Sequence, residues 1–135
     1  DIYTRNVINS TEAVNVLRQK FNDIEIKLLQ YEVMETLNDV SIVVNTTPLG
    51  MKNFRQGVSP LSDEMIKTLS DDAIIYDIVY NPIKTELIQR AIKYNKKYVS
   101  GLDMLVYQGA KAFEIWTGTY PNTDKMKIAA LMELV

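Results

Sequence analysis

The sequence has no cysteine and no histidine among its 135 residues. Disulfides, thiolate nucleophiles, imidazole bases and the usual zinc and haem ligand sets are therefore excluded, and no metal site is expected. Any chemistry must come from Lys, Asp, Glu, Tyr, side-chain amides or a bound cofactor. Basic stretches are also lacking. With 15 Lys and Arg against 17 Asp and Glu, a net charge of −2 and no long basic run, nucleic-acid binding is not expected. No apolar run approaches the roughly 18–20 residues that span a bilayer, and nothing at the start resembles a signal peptide, so a soluble domain away from membranes is expected. Glycine is scarce: the five stand at 50, 57, 101, 109 and 118, so no GxGxxG turn can be drawn.

What is present is a chain with 47% apolar residues, enough for one domain with a real core, read as covering residues 1–135. Short runs rich in β-branched residues alternate with amphipathic runs, the pattern of a parallel sheet covered by crossover helices. Strands are expected at Asp1–Thr4, Ile24–Leu28, Val40–Asn45, Ala73–Val79 and Tyr98–Ser100. The Val and Ile of 40–45 suggest a strand buried on both faces. Helices are expected at 11–21 (capped by Asn9 or Ser10, with Ala13, Val14, Leu17 and Phe21 inward), 31–37, 63–69 (capped by Ser62), 85–95, 101–116 and 123–134. The final helix should pack on the body through Met126, Ile128, Ala129, Leu131 and Met132. Asn81-Pro82 must break the fourth strand, because proline lacks the donor that a ladder needs.

Ligands of open parallel sheets bind beyond the carboxyl ends of the strands. That rule selects the loops 4–10, 45–51, 78–84 and 100–104. Asn45-Thr46-Thr47-Pro48 offers an amide and two hydroxyls there, either toward a ligand or in a turn that caps its own backbone. Tyr80 can pack as a core tyrosine or point its hydroxyl into a cleft. Arg5 is either a solvated surface residue or a bidentate grip for a phosphate. In GLDMLVYQGAKAFEIW, residues 101–116, Asp103, Lys111 and Glu114 share one helix face, while Met104, Leu105, Ala112 and Ile115 gather around Gln108 on the other. Gln108 is either a core amide bonded to neighbouring backbone or a group placed to meet a ligand.

Three blocks, NTTPLGM at 45–51, DIVYNPIKTELIQRA at 77–91 and GLDMLVYQGAKAFEIWTG at 101–118, resemble in order and spacing the C-terminal, cofactor-binding domain of the shikimate dehydrogenase (shikimate/quinate dehydrogenase) family. The resemblance implies a Rossmann-like doubly wound parallel sheet, entered at its second strand, in an enzyme that reduces 3-dehydroshikimate to shikimate with NADPH in aromatic amino-acid biosynthesis in the cytoplasm. It implies substrate contacts from Tyr80 and Gln108, and cofactor contacts from Thr4, Arg5, Asn6, Thr46, Ile78 and Gly101. Gln108 supplies both a donor and an acceptor to a polyhydroxy acid. Thr4-Arg5-Asn6 stands where the family has Asn-Arg-Thr, and an arginine without a nearby acid suits the 2′-phosphate of NADP.

The family's glycine-rich turn and its N-terminal substrate domain, which carries the lysine and aspartate of proton transfer, have no counterpart in this sequence. No catalytic residue is expected within it. The alternatives are a quinate or quinate/shikimate dehydrogenase, or a non-catalytic nucleotide-binding fragment. In the strand order of such sheets, the strand absent from this sequence would lie between those at Asp1–Thr4 and Val40–Asn45. The expectation is that another copy (a homo-oligomer) or the remaining part of the parent protein supplies it, or that the two strands close on each other.

Overall fold

The computed structural model describes residues 1–34 and 36–134, and the chain divides into two compact units, Asp1–Thr36 and Leu37–Val135. In the first unit, strand β1 (Ile2–Thr4) leads through helix α1 (Val7–Lys20) to strand β2 (Leu28–Gln30). The two strands are parallel, with Ile2 opposite Leu28 and Thr4 opposite Gln30.

The sequence placed the α1 start at Thr11, but the helix begins one turn earlier. The Asn6 carboxamide accepts a hydrogen bond from the Asn9 amide at 3.1 Å, and Ser10 and Thr11 donate their hydroxyls back to the carbonyls of Asn6 and Val7. The polar residues read as caps thus lie inside the first turns, bonded as serine and threonine commonly are within helices. Of the four residues expected inward on α1, Val14 alone is buried. The second strand lies toward the carboxyl side of its expected place, leaving Ile24 exposed. A 3₁₀ turn, Tyr31–Val33, takes the start of the helix expected at 31–37; the Glu35 portion of that expectation is outside the described residues.

The second unit contains β3 (Ile42–Asn45), α2 (Asp63–Thr68), β4 (Ile74–Asp77), α3 (Glu86–Lys93), β5 (Lys97–Val99), α4 (Gly101–Thr117) and α5 (Thr123–Leu134). The sheet is parallel in the order β3-β4-β5, with Val44 opposite Tyr76 and Tyr76 opposite Val99. The expected cap Ser62 accepts a hydrogen bond from the Met65 amide, and Thr85, read as the first helical residue, is the cap of α3 and accepts from the Ile88 amide.

One sheet face carries Asn45, Ile75 and Asp77, and the core forms there with Ile66 and Leu69 from the α2 side and Leu87, Ile88 and Ala91 of α3. The other face carries Ile42, Val44, Ile74, Tyr76 and Val99. Ile42 and Val44 are exposed, which corrects the expectation that this strand is buried on both sides. Among the described residues β1 pairs with β2 in the first unit, and β3 with β4 in the second.

Helix α4 buries Gly101, Leu102, Val106 and Ala110. This overturns the helical-wheel reading that gathered Met104, Leu105, Ala112 and Ile115 around Gln108 on the inner side. Gln108 lies about 200° around the helix from Val106, and it is exposed, as are Met104 and Ile115. The helix has apolar residues on several sides, so periodicity alone leaves its rotation open. Helix α5 packs on α4, with Met126 against Gly109 and the Lys127 ammonium paired to the Asp103 carboxylate. Its Ile128 and Met132 stay exposed rather than packing on the body.

The contact between α2 and α3 is held by charge. Asp63 accepts hydrogen bonds from the Lys93 ammonium at 2.7 Å and the Tyr94 hydroxyl at 2.5 Å, and it pairs with Arg90 at 3.4 Å. The Lys93 bond, with that of Tyr94 behind it, holds the Asp63 carboxyl below its ordinary value of 3.8. A pKa depressed in the folded state contributes stability above the unfolded pKa, and this is lost as pH falls through the folded value. Asp63→Asn is therefore expected to melt lower than wild type at about pH 7, with the difference shrinking as pH falls through and below the ordinary carboxyl value. Thermal melts across that range check this; a constant difference at every pH would assign the loss to packing.

Candidate functional site at the carboxyl ends of β3 and β4

The chain leaves β3 at Asn45, which is buried at the sheet's carboxyl end. Its side-chain oxygen accepts from the Thr47 amide at 3.0 Å and the Thr47 hydroxyl at 2.7 Å, so the turn folds onto its own first residue. Gly50 then reverses the chain at φ +88°. A Cβ there would lie 3.2 Å from the Val58 carbonyl and 3.3 Å from Thr85 Cβ, so both the backbone conformation and the space call for glycine.

The chain leaves β4 at Asp77, which is fully buried. It passes through Ile78, Val79 and Tyr80 to a cis Asn81-Pro82 peptide. The two loops are tied directly, Lys52 donating its amide to the Asn81 carbonyl at 2.7 Å and Ile78 donating to the Asn45 carbonyl at 3.2 Å.

Between these loops lies a cavity of about 460 Å³ lined by Thr46, Pro48, Met51, Ile78, Tyr80 and Asn81, among others. Pro48, Met51 and Ile78 make an apolar wall. The hydroxyls of Thr46 and Tyr80 have no hydrogen-bond partner among the described residues. Tyr80 is 41% exposed, which answers the sequence's open question in favour of a cleft-facing rather than a core tyrosine. Three of the residues singled out by sequence, Thr46, Ile78 and Tyr80, thus share one cavity.

Gly101 opens α4 directly behind it. A Cβ there would stand 2.2 Å from the Ile78 carbonyl oxygen and 2.8 Å from the Val79 carbonyl carbon. The glycine is thus required by contact between the helix start and the loop backbone, whatever occupies the cleft.

Gln108 belongs to a second concavity of about 700 Å³, shared with Ile42, Ile74, Tyr76, Met104 and Tyr107 among others, and does not line the cavity holding Tyr80. Its amide has no partner among the described residues, so the reading of a core amide bonded to backbone does not hold. Lys111 borders the same concavity. Its hydrogen bond to Glu114 at 2.8 Å raises the lysine above its ordinary range and keeps it cationic.

Thr4, Arg5 and Asn6 lie in the other unit, where β1 meets α1. The Thr4 hydroxyl oxygen accepts from the Asn6 amide and the Ser10 hydroxyl, and Asn6 caps the helix, so both build the turn. Arg5 is exposed between them, with no ion pair or hydrogen bond among the described residues.

Sequence reasoning singled out Asn45 within its turn but missed the buried Asp77 carboxylate and its bonds to Asn45 and Thr85. The available signal was an acid inside an otherwise apolar strand. Among the described residues no group of three or more acidic side chains is placed to hold a metal, and no helix is long and apolar enough to cross a membrane.

Residues 101–131 match the family model described as Shikimate 5'-dehydrogenase C-terminal domain. The chain is 44% identical over 123 residues to shikimate dehydrogenase (NADP(+)) of Archaeoglobus fulgidus, an alignment covering 91% of this chain and 44% of that protein. A crystal structure of a shikimate dehydrogenase in complex with NADP+ superposes with a TM-score of 0.85 at 35% identity, covering 97% of this chain and 45% of that one. Shikimate 5-dehydrogenase from Listeria monocytogenes, crystallised with shikimate and NAD, gives a TM-score of 0.80 at 33% identity over 96% of this chain and 46% of that one. The chain spans less than half the length of these relatives. With both sequence and Rossmann-like fold matched over nearly all its residues, the chain belongs to the shikimate dehydrogenase family.

Proposed function

We propose that this chain is the cofactor-binding portion of an NADP-dependent shikimate dehydrogenase, which interconverts 3-dehydroshikimate and shikimate. The observation that carries the reading is the shared cavity of Thr46, Ile78 and Tyr80 beyond the carboxyl ends of two parallel strands, the position where such sheets bind ligands. Within the second unit, the apolar wall suits a flat nicotinamide ring and the unpartnered hydroxyls suit a sugar; within the first unit, taken by itself, the unpaired Arg5 guanidinium suits a phosphate. When bound, the dinucleotide supplies the hydride chemistry. The chain's own residues contribute position. Ile78 and Pro48 exclude water from one side of the cleft, Thr46 orients a polar edge, and Tyr80 offers its hydroxyl to the cleft. Gln108, free to donate and accept, meets substrate hydroxyls from its separate concavity.

A chemical-shift titration of the chain with NADP+ tests this: the amides of Thr46, Ile78 and Gly101 are expected to move and saturate. A titration without saturable shifts at these positions would overturn the assignment. The chain alone is expected to show no NADPH-dependent reduction of 3-dehydroshikimate, because the lysine and aspartate that the family resemblance assigns to proton transfer have no counterpart in this sequence and no carboxylate lines the cleft. Measurable turnover by the purified 135 residues would contradict the proposed division of labour.

Gln108→Leu provides a further check in the whole enzyme. Losing one or two polar contacts is expected to lower kcat/KM for shikimate by roughly 1–3 kcal/mol of transition-state binding. The melting temperature should barely change, since the side chain is exposed. Unchanged kinetics with a large loss of stability would make Gln108 a structural residue.

A further inference from the structure

The Asp77 carboxylate is fully buried, and three segments converge on it. Its Oδ1 accepts from the Asn45 side-chain amide at 2.9 Å and from the Val79 backbone amide at 3.1 Å. Its Oδ2 accepts from the Thr85 hydroxyl at 2.6 Å, while that hydroxyl's oxygen accepts from the Ile88 amide and caps α3. Asp77 does not line the cleft, and neither do Asn45 and Thr85. Yet each partner belongs to, or abuts, a segment that does. Asn45 begins the Thr46–Gly50 turn and holds Thr47 through its other side-chain atom; Val79 is part of the opposite wall; Thr85 packs beside Gly50, where the turn ends.

A single oxygen therefore joins the two walls, and the second oxygen of the same group joins them to the start of α3. Burying a carboxylate for packing alone is unfavourable, since apolar side chains of similar volume serve stability as well or better. A fully satisfied network does restrict its members to one arrangement.

We infer that Asp77 is a positioning residue that sets the spacing of the two loops walling the cleft, and so governs nucleotide affinity without touching the ligand. The inference rests on the functional reading above for its ligand, and on the network alone for the loop coupling.

The test compares Thr85→Val, which keeps the shape and removes the hydroxyl, with Thr85→Ser, which restores it. Lys96→Met serves as a control. That variant cuts a different, part-buried set of ties, from the Lys96 ammonium to the Leu69 carbonyl at 2.7 Å and the Asp71 carboxylate at 2.9 Å. Melting temperature, amide exchange at Thr47 and the Kd for NADP+ from chemical shifts are measured on each. Thr47 has no hydrogen bond to Thr85, so a change at its amide reports coupling through Asp77 and Asn45.

Thr85→Val is expected to raise Thr47 exchange and the NADP+ Kd each by roughly tenfold, with Thr85→Ser near wild type and Lys96→Met moving neither despite a comparable loss of stability. Thr85→Val that loses stability as the control does, with Thr47 exchange and Kd unchanged, overturns the inference. Should Thr85→Val fail to fold, Asn45→Ala is scored at the Val79 amide, where faster exchange supports the coupling and wild-type exchange overturns it. A wild-type chain that shows no binding of NADP+ overturns the functional reading, and the exchange measurements then decide the loop coupling by themselves.

Discussion

Gly101→Ala is expected to lower the melting temperature by about 10 °C or more, the consequence of a destabilisation of roughly 3 kcal/mol. The added methyl would meet the Ile78 carbonyl oxygen at 2.2 Å and its carbon at 2.5 Å. These are backbone atoms of the segment leaving β4. Ile78 cannot retreat without straining the hydrogen bond its N–H donates to the Asn45 carbonyl, and Val79 is held by Asp77. Helix α4 must therefore shift as a body, loosening Leu102, Val106 and Ala110 from the core together. The size of the effect separates two roles for this glycine. If it served ligand approach alone, alanine would weaken nucleotide binding and leave the melt unchanged. Calorimetry or circular dichroism on the variant decides the matter, and a melting temperature within a degree or two of wild type would remove the packing account.

Arg5→Asp in the full-length enzyme is expected to weaken NADP+ by about one to two decades while leaving NAD+ nearly unaffected. Thr4 and Asn6 are committed to the turn and the helix cap, whereas the guanidinium between them is exposed and unpaired among the described residues. A guanidinium matches a phosphate in both charge and geometry, and replacing it with a carboxylate exchanges attraction for repulsion. A phosphate contact distinguishes the two dinucleotides because NADP carries the extra 2′-phosphate. Affinities for both cofactors measured by calorimetry give the ratio directly. An unchanged NADP+ affinity would make Arg5 an ordinary surface residue and leave dinucleotide preference to other groups.

The class of fold and the place of the cavity shared by Thr46, Ile78 and Tyr80 follow from the order of residues alone. Alternating β-rich and amphipathic runs dictate a parallel α/β arrangement, because each short strand needs a crossover helix before the next can lie beside it. Ser62 and Thr85 announce their helices by side chains that can satisfy first-turn amides, and both act so. These are local properties, decided within a few residues. The loops at Thr46, Ile78 and Tyr80 were legible for a related reason: in such sheets the strand ends fix where a ligand can sit. The absence of histidine and cysteine excludes whole classes of chemistry whatever the fold.

Contacts between residues distant in sequence set the rest. Apolar residues on several sides of α4 left its rotation undetermined, until the close approach of Gly101 to Ile78 turned Leu102, Val106 and Ala110 inward and Gln108 outward. The Val-Ile run of β3 read as buried on both faces, yet burial requires a neighbour, and α2 and α3 pack on one side only. Asp77 looked like an interruption in a strand, because the partners that justify a buried carboxylate lie 32 residues before it and 8 residues after it. Local sequence specifies the direction and period of a side chain; the identity of what it meets is set by the packing of the whole unit.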